Sequence, residues 1–280
     1  MMCASFMRKL ASVTALAASF CLGVASGCVP SQTTTYNAAE ESLENGEAEI
    51  FYLYHCGWAV KTASALMIFD YWERMEEPEQ PSLANGFVDP EEIKDLDVYV
   101  FTSHSHGDHF DERILEWKRV IPNISYVFGW PADEAKGDVV FGKVRVTEVI
   151  GPMTVKNIFH DFDGIPESAF LIEVDGLSIY YSGDHGNAPG ALHPVYKDNI
   201  DYVARQSDGF DLVFLSIFGS PTYDGELYAI EKFKPRVMIP MHYGSREADA
   251  KDFVAVAQIK FPNVKFFYPL KQGDTYSIKN

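Results

Sequence analysis

Short apolar runs separated by polar turns recur along the chain from residue 49 onward. Runs of this length, rich in β-branched and aromatic residues, predict strands at residues 49–54, 65–70, 97–102, 125–128, 143–150, 169–174, 177–182, 211–217 and 236–240. Residues 111–119 have the period of a helix, and helix-like sequence also precedes each of the last two strands. Strands that end in polar loops and alternate with helices predict a layered α/β architecture.

Two connections carry turn signals. Asp175-Gly176 lies between neighbouring predicted strands and indicates a β-hairpin. Acidic residues together with Pro78, Pro81 and Gly86 mark residues 72–90 as a surface loop. We expect this loop to border the substrate pocket.

The first 28 residues have the pattern of a secretory signal peptide. Arg8 and Lys9 precede an apolar run over residues 10–24, which is shorter than the roughly 20 residues that a membrane-spanning helix requires. The small residues directly before Cys28 are similar to a bacterial lipobox, whose cleavage would expose this cysteine for lipidation. Ala25 stands where that pattern usually has leucine, so a plain exported protein cut nearby is the alternative.

The segment after the signal peptide predicts a tether. Residues 29–47 are rich in Ser, Thr, Gln, Asn and Glu, with almost no apolar periodicity, which is typical of a flexible chain. The folded domain is then expected to comprise residues 48–280. A lipid on Cys28 would hold this domain at a bacterial membrane surface, in the periplasm or outside the cell.

Charge and cysteine usage narrow the function. The chain has 40 acidic and 23 basic residues, a net charge of −17, and no basic patch in its sequence, so no nucleic-acid partner is expected. Of the four cysteines, Cys3 and Cys21 would leave with the signal peptide and Cys28 would carry lipid. Cys56 would remain alone, which excludes an intramolecular disulfide and a metal site built from several thiolates.

Candidate chemistry is concentrated directly after the predicted strand 97–102. His104, His106, Asp108 and His109 place three imidazoles and a carboxylate within six residues. These are ligand types that zinc, iron and manganese accept. A solvated His-rich loop is the plain alternative, but the segment follows a buried strand immediately, which favours a metal site.

The pattern His-x-His-x-Asp-His after an apolar strand resembles the signature of the metallo-β-lactamase superfamily, and the resemblance covers roughly residues 50–270. It implies a four-layered αββα sandwich. It also implies three further ligands in a fixed order: a histidine, an aspartate at a strand end, and a last histidine. His160, Asp184 and His242 occur in that order in this chain.

The resemblance implies two divalent metal ions, zinc first, with iron or manganese as alternatives because His/Asp sites accept all three. Carried over position by position, the family's roles assign His104, His106 and His160 to one metal, Asp108, His109 and His242 to the other, and Asp184 to a bridge between them. Each metal would keep an open place for a shared water. Such a pair activates the water as a nucleophile, so hydrolysis is the expected reaction.

Three residues are candidates for catalytic roles beside the metals. Asp108 would orient the nucleophile in addition to binding metal. His185 would either donate a proton to the leaving group or lie on the surface. The hydroxyl of Tyr243 would act as an oxyanion or acid group if it points inward.

Three other positions keep open alternatives or a supporting role. His160 lies in an irregular stretch, residues 157–164, where a surface histidine is the alternative to a ligand. His55, between the first two predicted strands, is either a pocket residue or a structural histidine. Asp70 resembles the family's aspartate that supports the metal ligands, so its loss should weaken metal binding without removing a ligand.

The order of motifs and the short first hairpin resemble the branch containing sugar-phosphate lactonases and N-acyl-phosphatidylethanolamine phospholipase D-like enzymes. The resemblance implies a metal-dependent hydrolase that cleaves an ester, lactone, amide or phosphodiester in a small-molecule or lipid-like substrate. One alternative is a di-iron redox protein, although relatives of that kind use a flavin domain for which this chain has no room. Another is a metal-retaining binding or sensor protein without turnover, which the cost of burying the ligands without a metal disfavours.

Overall fold

Two seven-stranded mixed sheets form the centre of the computed structural model, which describes residues 42–73, 78–132, 137–161, 164–187, 191–218 and 222–280. The first sheet has the spatial order β14 (Thr275–Ile278), β1 (Ala48–Tyr54), β2 (Gly57–Lys61), β3 (Leu66–Phe69), β4 (Val98–Thr102), β5 (Ile124–Phe128) and β6 (Val139–Val140). Strands β14 to β3 in this order pair antiparallel, and β3 to β6 pair parallel.

The second sheet repeats this mixture of parallel and antiparallel pairs. Its spatial order is β13 (Lys265–Phe266), β12 (Val237–Met241), β11 (Leu212–Ser216), β10 (Leu177–Tyr181), β9 (Pro166–Val174), β8 (Met153–Asp161) and β7 (Thr147–Ile150). Strands β13 to β10 pair parallel, and β10 to β7 pair antiparallel. The parallel strands end at a common edge, which is where ligands bind in sheets of this kind.

Helices flank the two sheets. They are α1 (Pro90–Ile93), α2 (Pro194–Ala204), α3 (Asp224–Phe233) and α4 (Glu247–Lys260), with 3₁₀ helices at Leu83–Asn85 and Glu112–Arg119. Neighbouring residues on β10 show the layering. Tyr181 stacks on Phe69 of the first sheet with ring centroids 4.5 Å apart, whereas Tyr180 packs on Phe233 of α3 at 4.9 Å. The predicted four-layered α/β sandwich is confirmed.

Aromatic side chains join the two sheets. Phe69 on β3 contacts Phe101 on the neighbouring strand β4 at 5.1 Å, and reaches Tyr181 and Phe214 of the second sheet at 4.5 and 6.2 Å. Trp58 on β2 adds an edge-on contact with Phe214 at 5.2 Å. All five side chains are fully buried, so the apolar interface between the sheets lies directly beneath the ends of β3, β4 and β10.

The structure corrects the predicted elements at two places. A strand, β2, lies between the first two predicted strands and was not predicted. Residues 157–161, predicted to be irregular, belong to β8, whose residues from Met153 to Asn157 alternate in burial. The strand was missed because the buried Asn157 makes the run look polar. Its amide is satisfied internally, since Nδ2 donates to the carbonyl of Lys143 at 2.8 Å and Oδ1 accepts from the Val146 amide at 2.8 Å.

The predicted signal peptide, residues 1–28, and residues 29–41 of the predicted tether lie outside the described residues. The last part of the tether, residues 42–47, is attached to the domain. The Gly46 amide donates to the Asp175 carbonyl at 2.8 Å, and the Asn280 side chain donates to the Asn45 carbonyl at 2.9 Å. Over the ranges that the structure describes, none of the helices is both long and apolar enough to cross a membrane.

Replacing Phe69 with alanine should lower the free energy of unfolding by about 3–5 kcal/mol, because the change removes an aromatic side chain that both sheets contact. Urea unfolding of chelator-treated protein measures this effect without a contribution from bound metal. The control is Ile259→Ala in α4, where the side chain is 86% exposed. Equal stability of the two variants would contradict this account of the core.

Candidate metal centre

All the candidate ligands except His160 converge at one edge of the two sheets because they follow the ends of strands. The segment from His104 to His109 follows β4, Asp184 follows β10, and His242 follows β12. Gly183 permits the close approach of β10 to the His-rich turn. A Cβ at this position would lie 2.5 Å from the Cβ of Ser103, and its φ of 53° is one that L residues rarely adopt.

The first donor set consists of His104, His106 and Asp184. Nε2 of His104 lies 3.0 Å from Nδ1 of His106 and 3.7 Å from Oδ2 of Asp184. The ligand atoms of these three residues all lie within 4.8 Å of one another. Two imidazoles and a carboxylate at these distances are arranged to hold one cation.

The second donor set, which consists of His55, Asp108, His109 and His242, lies on the other side of Asp184. Oδ1 of this carboxylate is 3.3 Å from Nε2 of His109 and 3.3 Å from Nε2 of His242. Ligand atoms of His55, Asp108, His109 and His242 also lie within 4.8 Å of one another. The two oxygens of Asp184 therefore face two different donor sets, which is the arrangement that a bridging carboxylate requires.

Unsatisfied polar atoms at the cluster fit a bound cation. Nε2 of His109, Nε2 of His55 and Oδ1 of Asp184 are buried and make no hydrogen bond. Leaving such atoms unpaired costs about 1–3 kcal/mol each, so native proteins rarely do so. A metal ion would satisfy all three, and the donor set of imidazoles and carboxylates suits zinc, iron or manganese.

Asp70 holds the cluster in place from directly behind it. Its carboxylate is fully buried and accepts hydrogen bonds from Nδ1 of His109 at 2.8 Å, from the Ser103 amide and hydroxyl at 2.7 Å each, and from the Tyr181 hydroxyl at 2.7 Å. A proton on Nδ1 of His109 leaves Nε2 available for a metal. This is the supporting role that the resemblance implied for Asp70.

The surroundings of the histidines shift their pKa values in different directions. Burial lowers the pKa of His104 and of His242 to about 3, which keeps both rings neutral. Burial acts in the same direction on His109, but the carboxylates of Asp184 and Asp70 outweigh it and raise the pKa of His109 to about 9. Burial raises the pKa of Asp184 to about 7. Protons held by His109 and Asp184 must therefore leave when a metal binds.

His160 lies beside this cluster rather than among its donor atoms. It stands opposite Glu167 in the pairing of β8 with β9, and its Nε2 is 2.5 Å from Oε1 of that carboxylate. The other oxygen of Glu167 is 3.4 Å from Nδ1 of His104. A buried carboxylate thus stands between His160 and the first donor set. Ligation by His160 stays a prediction, and the surface alternative is wrong because its side chain is only 8% exposed.

The two proposed proton donors are engaged inside the protein. His185 is buried, so the surface alternative is wrong; its Nδ1 lies 3.0 Å from the Tyr180 hydroxyl and its Nε2 lies 3.1 Å from Nδ2 of Asn199. The hydroxyl of Tyr243 donates to the Pro269 carbonyl at 2.8 Å. Neither geometry supports proton transfer to a substrate, and both catalytic roles stay predictions.

Sequence reasoning missed other residues of this region. Glu167, Ser103 and Tyr181 contact the ligands or Asp70 but carry no motif. Cys56, excluded as part of a thiolate site, has its sulfur within 4.8 Å of ligand atoms of His109 and Asp184, and burial raises the pKa of its thiol. Strand pairing was the signal that would have revealed Glu167, since His160 and Glu167 are direct partners.

A layered α/β sandwich with a His/Asp cluster at the ends of its strands defines a metal-dependent hydrolase of the metallo-β-lactamase type. Residues 49–242 match the β-lactamase superfamily domain, and the chain belongs to this family.

Relatives with similar sequences agree with this assignment. The chain is 27% identical over 214 residues to a UPF0173 metal-dependent hydrolase of Archaeoglobus fulgidus, covering 69% of this chain and 86% of the relative. It is 28% identical over 192 residues to another from Symbiobacterium thermophilum, covering 64% and 81%. These relatives do not test the predicted lactonase-like or phospholipase D-like branch, which stays a prediction.

Solved structures share the fold. Igni18, a metallo hydrolase from the archaeon Ignicoccus hospitalis, superimposes with a TM-score of 0.59 at 17% identity, covering 84% of this chain and 99% of that one. CmlA, a diiron β-hydroxylase from Streptomyces venezuelae, gives a TM-score of 0.61 at 14% identity, covering 86% and 55%. At these identities the likeness concerns the fold alone.

Replacing Asp70 with asparagine should lower metal affinity about 10- to 100-fold, as loss of a residue that orients a metal ligand typically does. Asparagine tolerates the positive φ of 41° at this position, so the backbone should be retained. Competition with a chromophoric chelator measures the affinity.

The matched control is Asp175→Asn, at a φ of 47° in the β9–β10 turn, where the carboxylate accepts from Ser64 and Thr62. This variant should bind metal as the wild type does. Unchanged affinity in Asp70→Asn would show that Asp70 does not support the ligands.

Proposed function

We propose that this chain is a two-metal hydrolase, with zinc as the working ion, that cleaves an ester, lactone, amide or phosphodiester. The observation that carries the proposal is the position of Asp184 between two donor sets whose buried nitrogen and oxygen atoms lack hydrogen bonds. His104 and His106 would hold one ion, with His160 as the predicted third ligand. Asp108, His109 and His242 would hold the other, and Asp184 would be shared.

A pair of divalent ions supplies a water of lowered pKa and stabilises the developing oxyanion. Asp108 is suited to orient the attacking water. The nearby His55 imidazole holds the pKa of its carboxyl well below the usual range, so it stays ionised and accepts hydrogen bonds. The side chain of Asp108 is also 44% exposed, and His106 is exposed, so the substrate would approach from this side.

The net charge of the chain bears on the class of substrate. A net charge of −17 opposes binding of long anionic polymers, which supports a small-molecule or lipid-like substrate over a nucleic acid. A metal-retaining binding or sensor protein would hold metal but turn over none of the substrate classes, so the activity assays separate it from the proposed hydrolase. A redox role would require iron, so elemental analysis separates it from the proposed zinc hydrolase.

Replacing Asp184 with alanine should reduce turnover by more than the about 10- to 100-fold that loss of a supporting residue costs, because both metal positions lose a ligand. Rates on model esters, lactones and bis-p-nitrophenyl phosphate, with and without chelator, measure this effect together with metal content. The control is Asp252→Ala, an exposed position in α4. A variant with wild-type metal content and turnover would refute the site, whereas metal-bound wild type without turnover on any class would refute hydrolysis.

We also propose that the protein is exported and anchored to a bacterial membrane surface through lipid on Cys28. The support is the basic, apolar and small-residue pattern that ends at this cysteine.

The variant Cys28→Ser should abolish incorporation of labelled fatty acid and move the protein from the membrane fraction to the soluble fraction. Cys56→Ser is the control, since its thiol is buried in the domain. Equal labelling of the Cys28 variant and the wild type would exclude this lipid anchor.

A further inference from the structure

His55 occupies a strained and firmly held turn between β1 and β2. Its φ is 56°, in the left-handed region that few non-glycine residues adopt. Its amide donates to the Tyr52 hydroxyl at 2.9 Å, and its carbonyl accepts from the His242 amide at 3.4 Å. Backbone strain of this kind costs about 1–3 kcal/mol and is concentrated at functional sites. The strained backbone and these two hydrogen bonds therefore fix the position of the imidazole.

The side chain of His55 points into the second donor set. Its ring centroid lies 4.4 Å from that of His242 and 5.9 Å from that of His109. Nε2 is buried and makes no hydrogen bond, although Oδ2 of Asp108 is 3.5 Å away. A structural histidine would have this nitrogen paired, because buried polar groups in native proteins are almost always hydrogen-bonded.

We infer that His55 is an additional ligand of the second metal position. The inference deepens the proposed function and rests on the two-metal assignment made there. The second position would then have three imidazoles and two carboxylates, from His55, His109, His242, Asp108 and Asp184. The first position would have His104, His106 and Asp184, with His160 as the predicted further ligand.

The additional ligand would make the two positions unequal. Five protein donors exceed the four of a tetrahedral zinc site, so an ion at the second position would have an expanded coordination of five or more ligands, which zinc also adopts in catalytic sites. The second position should also fill before the first. A role limited to orienting Asp108 is the competing explanation, but Nε2 of His55 makes no hydrogen bond to this carboxylate across the 3.5 Å between them.

The variant His55→Asn tests this inference. Asparagine tolerates a positive φ, so it preserves the turn, and its side chain is too short to reach the second donor set. Titration of metal-free protein with Co²⁺ against a competing chelator should show two binding steps in the wild type. In the variant the tighter step should weaken by more than about 100-fold, which exceeds the usual effect of losing a supporting residue. The weaker step should change only a few-fold.

The control is His193→Asn, at the N-cap of α2, where asparagine is also a favoured capping residue. Circular dichroism shows whether each variant is folded. X-ray absorption of the wild type with one equivalent of Co²⁺ supplies a measurement that needs no variant, and it should count three imidazoles on the ion.

Two results would overturn the role of His55 without touching the two-metal proposal. One is a count of two imidazoles on the first ion bound. The other is a loss of affinity of 100-fold or less in His55→Asn, which would make His55 a positioning residue or a bystander. By contrast, wild-type protein that binds a single Co²⁺ would refute the two-metal proposal, while the imidazole count on that ion would still decide whether His55 binds it.

Discussion

The partly buried carboxylate of Asp184 determines what this site can do. It lies between imidazoles on both sides, and no described cationic side chain of lysine or arginine pairs with it. A buried carboxylate without a cation either takes up a proton or destabilises the fold. The raised pKa values of Asp184 and His109 favour bound protons at this site when no metal is present. A metal ion stabilises the carboxylate better than a proton does, because it also satisfies the unpaired nitrogens.

The fold provides rigidity for that charge arrangement. Asp70 ends a strand of the first sheet and accepts a hydrogen bond from Tyr181, which ends a strand of the second. Through His109 the same carboxylate orients a ligand. The aromatic contacts of Phe69 lie directly beneath this junction. Packing of the two sheets and alignment of the ligands therefore depend on one another, and a defect in either should weaken both.

The parts of this structure that sequence could predict are those in which chemistry is local. The His-rich turn after β4 and the hairpin at Asp175-Gly176 are contiguous signals, and the structure contains both elements where they were expected. The order of His160, Asp184 and His242 came from a family pattern, and two of these three lie among the donor atoms. The match of residues 49–242 to the β-lactamase superfamily domain supports the same pattern.

The parts that sequence could not predict depend on pairing between distant strands. Glu167 reaches His160 only because β8 and β9 align them, and β8 itself was hidden by the internally bonded Asn157. The imidazole of His55 lies in the second donor set because the backbone at this position has a positive φ, which no local sequence pattern indicated. His185 follows a ligand directly in sequence, yet Tyr180 and Asn199 engage its ring.

The central claim is that Asp184 bridges two metal ions. Anomalous diffraction from crystals of zinc-loaded protein, measured at the zinc absorption edge, tests it most directly. Two peaks about 3.5–4 Å apart, one on each side of the Asp184 carboxylate, are the predicted result. A single peak, or peaks remote from Asp184, would contradict it.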